Sequence, residues 1–180
     1  MNKDVLRKHY KQLRRDIAHK EQKSKSICEA VKRLPIWRTA HTVALYASLP
    51  DEVDTAPLIA AALEAGKTVC MPKVQGSTMQ FFQITDACEY TTGAFGIREP
   101  LSEIPVDKET IDMIIVPLLA ADREHYRLGF GGGYYNRYLA DAQSSTIGIC
   151  FREQLSPVPL PHEVHDITLD MIITDENGGR

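Results

Sequence analysis

Between Arg127 and Arg137 the chain reads Arg-Leu-Gly-Phe-Gly-Gly-Gly-Tyr-Tyr-Asn-Arg, and four of its 11 glycines fall within five positions there. Without a Cβ, such backbone can turn its N–H groups toward a ligand and approach it closely. Successive N–H groups of this kind form a concave anion site. Upstream, Ile111 to Val116 reads as a buried strand closed by Pro117, and downstream Tyr134 to Ala140 reads as a helix. A glycine loop that opens a helix favours negative charge, because orphan N–H groups and the helix dipole act together. Arg127 and Arg137 bracket the loop and offer charge-assisted hydrogen bonds. The stretch therefore reads as a phosphate loop rather than a passive surface connection.

Two common phosphate loops do not fit. The dinucleotide fingerprint can begin at Gly129 and Gly131, but Tyr134 occupies its third glycine position. Gly66-Lys67-Thr68 resembles the end of a P-loop, yet Ala61 replaces its first glycine, and there a helix ends and a strand begins. Gly66 reads instead as the residue that ends a helix.

The glycine stretch resembles the R-L-G-x-G-x-G-Y-Y-D signature of the 5-formyltetrahydrofolate cyclo-ligase (methenyltetrahydrofolate synthetase) family. Lys3-x-x-x-Arg7, Ser48 to Thr55, Phe95 to Pro100, His165-Asp166 and Asp170 to Thr174 resemble further family motifs, in the family's order. Asn136 stands where the family has aspartate. The resemblance implies ATP-dependent closure of 5-formyltetrahydrofolate to 5,10-methenyltetrahydrofolate through phosphorylation of the formyl oxygen, with release of ADP and phosphate. It implies ATP binding by Lys3, Arg7, Arg127, Leu128, Gly129, Phe130, Gly131, Gly132, Gly133, Tyr134 and Tyr135. It implies folate binding by Ala47, Glu52 and Phe130 to Tyr134, and Mg²⁺ binding by Asn136 and Asp170. Arg127, Tyr134 and Arg137 are the expected catalytic groups. Asn136 can ligate through its amide oxygen but brings no charge, so weaker Mg²⁺ binding is expected. The fold implied resembles the sugar-phosphate isomerase and CoA-transferase group.

At 180 residues the chain is most simply one domain, long enough for a full core. No apolar run approaches the roughly 20 residues that span a bilayer. The first residues lack a signal peptide's apolar segment, so a cytoplasmic, membrane-free, monomeric protein is expected. Cys28, Cys70, Cys88 and Cys150 are widely spaced, which argues against a zinc cluster or a disulfide framework. The net charge of −3 is uneven: residues 1–25 carry nine Lys/Arg against three acids. Without a stacking run or a known module, that basic patch does not imply nucleic acid.

Leu6, Tyr10, Leu13 and Ile17 recur at helical spacing, so residues 2–17 read as an amphipathic helix with Lys3 and Arg7 on one face. A second helix ends before Pro35, and Trp37 reads as a core anchor. Thr42 to Tyr46, a helix from about Thr55 to Gly66, and Thr68 to Met71 form a βαβ unit, hence a parallel sheet. Ligands gather at the carboxyl ends of such strands, where Asp51, Glu52 and Lys73 fall. Strands follow at Met79 to Ile84, Thr146 to Phe151 and Met171 to Thr174, with residues 86–110 irregular and residues 175–180 a tail. Together these elements predict a three-layer α/β domain with a mainly parallel sheet. His162 and His165 lack further metal ligands nearby, and hydrogen bonding by His165 and Asp166 is expected instead. Three other readings share some of these features: a metal-free phosphosugar isomerase, a folate- or nucleotide-binding protein impaired by Asn136, and a nucleic-acid module on the basic helix.

Overall fold

A computed structural model describes residues 2–93 and 96–176. The chain opens with helix α1 (Lys3–Asp16), started by the Asn2 carboxamide, which accepts the Asp4 N–H at 2.8 Å. Leu6, Tyr10 and Leu13 lie along its inner side and pack on Leu119, Leu128 and Leu160. Helices α2 (Lys20–Lys32) and α3 (Pro35–Thr39) follow. Pro35 does not merely end a helix here. It occupies the first turn of α3, where a missing N–H is harmless, and so buries Trp37.

The six-stranded sheet contains β1 (Thr42–Ala44), β2 (Thr68–Gln75), β3 (Thr78–Ile84), β6 (Met113–Val116), β9 (Ser145–Ile149) and β10 (Met171–Ile173). Its order is β10-β9-β6-β1-β2-β3, parallel throughout except for the β2–β3 hairpin. Helix α4 (Ala56–Glu64) makes the β1–β2 crossover, and Gly66, just past it, adopts φ +75°. Side chains alternate between two buried layers, as strand geometry requires. Val43, Val69, Met71, Met113 and Ile115 face the layer of α2, α3 and α4. Ala44, Cys70, Ile114 and Val116 face the opposite layer, which includes Tyr138 and Leu139 of α5 (Tyr134–Leu139). The expected three-layer, mainly parallel α/β architecture is therefore present.

Two small hairpins were not expected. Residues 86–110 hold β4 (Tyr90–Thr92) paired with β5 (Arg98–Pro100), so the segment is not wholly irregular. Arg127-Leu128, at the start of the glycine stretch, forms β8 against β7 (Ala120–Ala121). Lys73 lies within β2 rather than beyond it, and its ammonium bonds the Ser102 carbonyl. Of the 175–180 tail, residues 177–180 lie outside the described residues, as does Phe95. Among the described residues no helix is long and apolar enough to cross a membrane.

After β1 the chain first builds toward β2 and β3, then crosses back to place β6 on the other side of β1. The β1–β6 boundary is thus where strand order reverses, and a crevice opens at the carboxyl ends there. On the closed side of the sheet, Gly148 of β9 leaves no room for a methyl group. A Cβ would lie 2.7 Å from Leu118 and Leu169 and 2.9 Å from Ile172. Gly148→Ala is expected to lower unfolding free energy by about 1–3 kcal/mol in urea titrations. Wild-type stability would show that these methyl groups yield freely.

Candidate active site

A cavity of about 440 Å³ occupies the crevice at the switch point. Tyr46 and Ala47, just after β1, and Pro117, just after β6, form its base. The glycine stretch from Arg127 to Asn136 forms one wall, α1 contributes Lys3 and Arg7, and the buried Glu52 also lines it. Residues far apart in sequence thus converge as expected: every anticipated ATP and folate contact lines this one cavity.

The glycine stretch is fastened at several points. Arg7 Nε donates to the Gly129 carbonyl at 3.0 Å, joining α1 to the loop. The Tyr134 hydroxyl donates to the Gly76 carbonyl at 3.1 Å. Arg137 donates to the Ser77 carbonyl at 2.9 and 3.1 Å and to the Gly132 carbonyl at 2.9 Å. Gly131 and Gly133 adopt φ +111° and +70°, which a side chain would strain. At Gly129 an added Cβ would meet Arg127 Nη1 at 2.6 Å, so the guanidinium lies directly against the loop backbone.

Arg127 is a half-buried cation in the cavity wall. Among the described residues its side-chain hydrogen bond goes from Nη2 to the Asn136 amide oxygen at 3.3 Å, and its Nε is buried with no partner. Burial pulls this guanidinium down to about 10, with Tyr135 and Asp166 offsetting part of the fall, so it is still charged at neutral pH. Lys3 donates to Asp166 at 2.6 Å. Asp166 also accepts the Asn136 amide at 2.7 Å and the Glu163 N–H at 2.8 Å. Partial burial alone would raise the Asp166 carboxyl, but the Lys3, Glu163 and Asn136 donors hold it below the usual range.

Two expected site residues stand elsewhere. Asp170 is exposed and outside the cavity; its carboxylate accepts the Thr146 N–H at 2.8 Å and the Thr146 hydroxyl at 3.1 Å. It immediately precedes β10, and pairing of β10 with β9 fixes it there. Of the anticipated Asn136 and Asp170, only Asn136 lines the cavity, and the carboxylate bonded to it is that of Asp166. Arg137, expected among the catalytic groups, does not line the cavity; its guanidinium bonds the Ser77 carbonyl and so ties the loop to the β2–β3 turn. Asp51 pairs with Arg14 at 3.0 Å. His165 is exposed at the cavity mouth, near Glu163 at 3.7 Å, and does not supply the expected structural bond. Sequence reasoning missed Tyr46 and Glu99 as lining residues. Tyr46 ends the strand read from the sequence and lies two residues past β1, a signal that was available; Glu99 comes from a hairpin that periodicity did not reveal.

Among the described residues, no group of three or more His, Cys, Asp or Glu side chains could hold a metal ion. Cys28 and Cys70 are pushed up to about 12 by burial, and Cys150 is also raised, so these thiols are inert.

A model of the 5-formyltetrahydrofolate cyclo-ligase family matches residues 1–175. The chain belongs to that family. It is 37% identical over 174 residues to a probable 5-formyltetrahydrofolate cyclo-ligase of Schizosaccharomyces pombe, covering 87% of this chain and 85% of the relative. The 5-formyltetrahydrofolate cyclo-ligase of Escherichia coli K12 is 34% identical over 145 residues, covering 75% and 78%. The solved structure of Aquifex aeolicus 5,10-methenyltetrahydrofolate synthetase superposes with a TM-score of 0.85 at 35% identity, covering 98% of this chain and 91% of that one. As a cyclo-ligase family member the chain is a ligase.

Glu52 is 8% exposed, accepts the Leu49 N–H at 2.7 Å and lies 3.4 Å from Arg14. Burial pushes its carboxyl from an ordinary 4.5 to about 7, against Leu49 and Arg14, which lower it, and with Asp51, which raises it further. The fold thus favours the protonated acid, and stability is withdrawn as pH rises from about 4.5 to about 7. At about 1.4 kcal/mol per pKa unit the full loss is roughly 3 kcal/mol. Glu52→Gln, with no proton to lose, should gain on wild type between pH 5 and pH 8 in urea unfolding. An equal difference at both pH values would contradict the buried acid.

Proposed function

We propose that residues 1–180 form one catalytic domain that closes 5-formyltetrahydrofolate to 5,10-methenyltetrahydrofolate, converting ATP to ADP and phosphate. The observation that carries this reading is Arg127: a half-buried cation facing a cavity large enough for substrate, with Nε unpaired. Such a group calls for an anion. Around it stand Lys3, Arg7 and the backbone of Gly129 to Gly133, which suits a polyphosphate. In the same cavity Glu52, in its ionised form, offers two acceptor oxygens, which suits the paired N–H donors of a pterin.

A formyl oxygen is a poor leaving group until it is phosphorylated. Its lone pair forms a bond to the γ-phosphorus, and the bridging P–O bond breaks with its electron pair to ADP. Nitrogen 10 of the folate then bonds the formyl carbon, and the C–O bond breaks with its pair to oxygen. The nitrogen 10 proton ends on the released oxyanion, giving the methenyl cation, ADP and hydrogen phosphate. No side-chain nucleophile enters these steps, which matches inert thiols and a site built from donors and cations. The protein positions both substrates and stabilises phosphoryl charge.

Mg²⁺ fits this site in a limited way. The Asn136 amide now turns its NH2 to Asp166 and its oxygen to Arg127 and the Ile167 N–H; turned over, that oxygen would join the Asp166 carboxylate as a hard donor, and the ion would neutralise polyphosphate charge. Lys3 pairs with Asp166 and lies 3.7 Å from Glu163, and Arg127 and Arg7 line the same cavity, so these carboxylates are already countered and a free divalent cation gains little until phosphates are present. Calorimetry with Mg²⁺ alone is expected to show no binding, and Mg²⁺ with ATP to show binding. Binding of the free ion would contradict this charge balance.

The reading is tested by mixing protein, 5-formyltetrahydrofolate, Mg²⁺ and ATP and following the near-ultraviolet absorbance of the methenyl product. Product should require ATP, and Arg127→Met should lower kcat/KM for ATP by about 10²- to 10³-fold. ATP-independent conversion, or full activity of Arg127→Met, would overturn it.

A further inference from the structure

Four side-chain polar atoms among the described residues are buried without a hydrogen-bond partner: Arg127 Nε, the Tyr135 and Tyr138 hydroxyls, and one carboxylate oxygen of Glu153. Unmade hydrogen bonds of this kind burden folding, and each asks for an explanation. Glu153 already pairs with Lys23 through its other oxygen. Tyr138 belongs to the core, edge-on to Phe81 at 5.0 Å, and does not line the cavity. Arg127 and Tyr135 do line it.

Tyr135 is held from both sides. Its ring packs edge-on to Phe81 at 6.5 Å, and the Arg127 guanidinium lies 5.7 Å from the ring centre. Both Arg127 and Glu52 act electrostatically on its phenol. The unpartnered hydroxyl thus belongs to a ring that stands beside the cation suited to phosphate, in the wall of the cavity that Glu52 also lines. Burial raises the phenol well above its ordinary range, so it stays a neutral donor at any working pH.

Resting on the function proposed above, we infer that the Tyr135 hydroxyl is a catalytic group that donates a hydrogen bond to the oxygen transferred from the formyl carbon to phosphorus. In ring closure the C–O bond breaks with its electron pair to this oxygen, and charge accumulates there. A neutral donor already in place stabilises that charge without reorganising. No proton leaves the phenol; the nitrogen 10 proton balances the step as described.

Tyr135→Phe and Tyr138→Phe separate this role from packing. Both remove an unpartnered buried hydroxyl, so thermal midpoints should hold or rise in both. Tyr135→Phe should lower kcat by roughly 10²-fold while both KM values stay within about threefold, and Tyr138→Phe should keep the wild-type kcat. A wild-type kcat in Tyr135→Phe would overturn the inference. So would a loss shared by Tyr138→Phe, a loss accompanied by a lower thermal midpoint, or a loss confined to KM for ATP. Absence of ATP-dependent product from the wild type would instead sink the function reading itself. Product from the wild type with an unaffected Tyr135→Phe sinks the inference alone.

Discussion

A half-buried guanidinium, its Nε shut off from water and unpartnered against the backbone of a glycine loop, is the constraint on which the site depends. Desolvation of Arg127 is costly, and no carboxylate repays it directly, because Asp166 is engaged by Lys3 and Asn136. The surroundings accept this arrangement only because Gly129 presents no Cβ and Tyr135 offers a ring face. Without a ligand the cost is borne by the fold; with a polyphosphate it becomes binding energy. A site under such tension is expected where function, rather than stability, shapes the sequence.

The rest of the architecture delivers partners to that cation. Reversal of strand order between β1 and β6 opens the crevice, and the segments after those strands supply its base. Helix α1 lies across the opening, with its apolar side on Leu119 and Leu128 and its Lys3 and Arg7 turned to the loop. The strongly basic N-terminal segment is thereby directed inward at several points, since Arg14 is also buried against Asp51 and Glu52. That orientation accounts for a concentration of positive charge that composition alone could equally assign to a polyanionic partner.

Much of this was legible in the chain. Short apolar runs and helical spacing located the parallel core, and the glycine stretch pointed to one wall of the cavity, because both signals are local. What escaped depends on tertiary placement. Asp166 and Asp170 lie four residues apart in one polar segment, and only the pairing of β10 with β9 decides which of them meets Asn136. Arg137 brackets the glycines in sequence but points to Ser77 from a one-and-a-half-turn helix. The hairpins β4–β5 and β7–β8 have strands of three and two residues, too short for any period to show.

The Arg127 Nε–H group can be watched directly by nitrogen–proton correlation NMR on the whole chain. On saturation with a non-hydrolysable ATP analogue, its signal is predicted to shift and its exchange with water to slow, along with the amides of Gly129 to Gly133. A signal left unchanged while those loop amides respond would contradict the central claim that this half-buried cation, with its unpaired Nε, receives the phosphates.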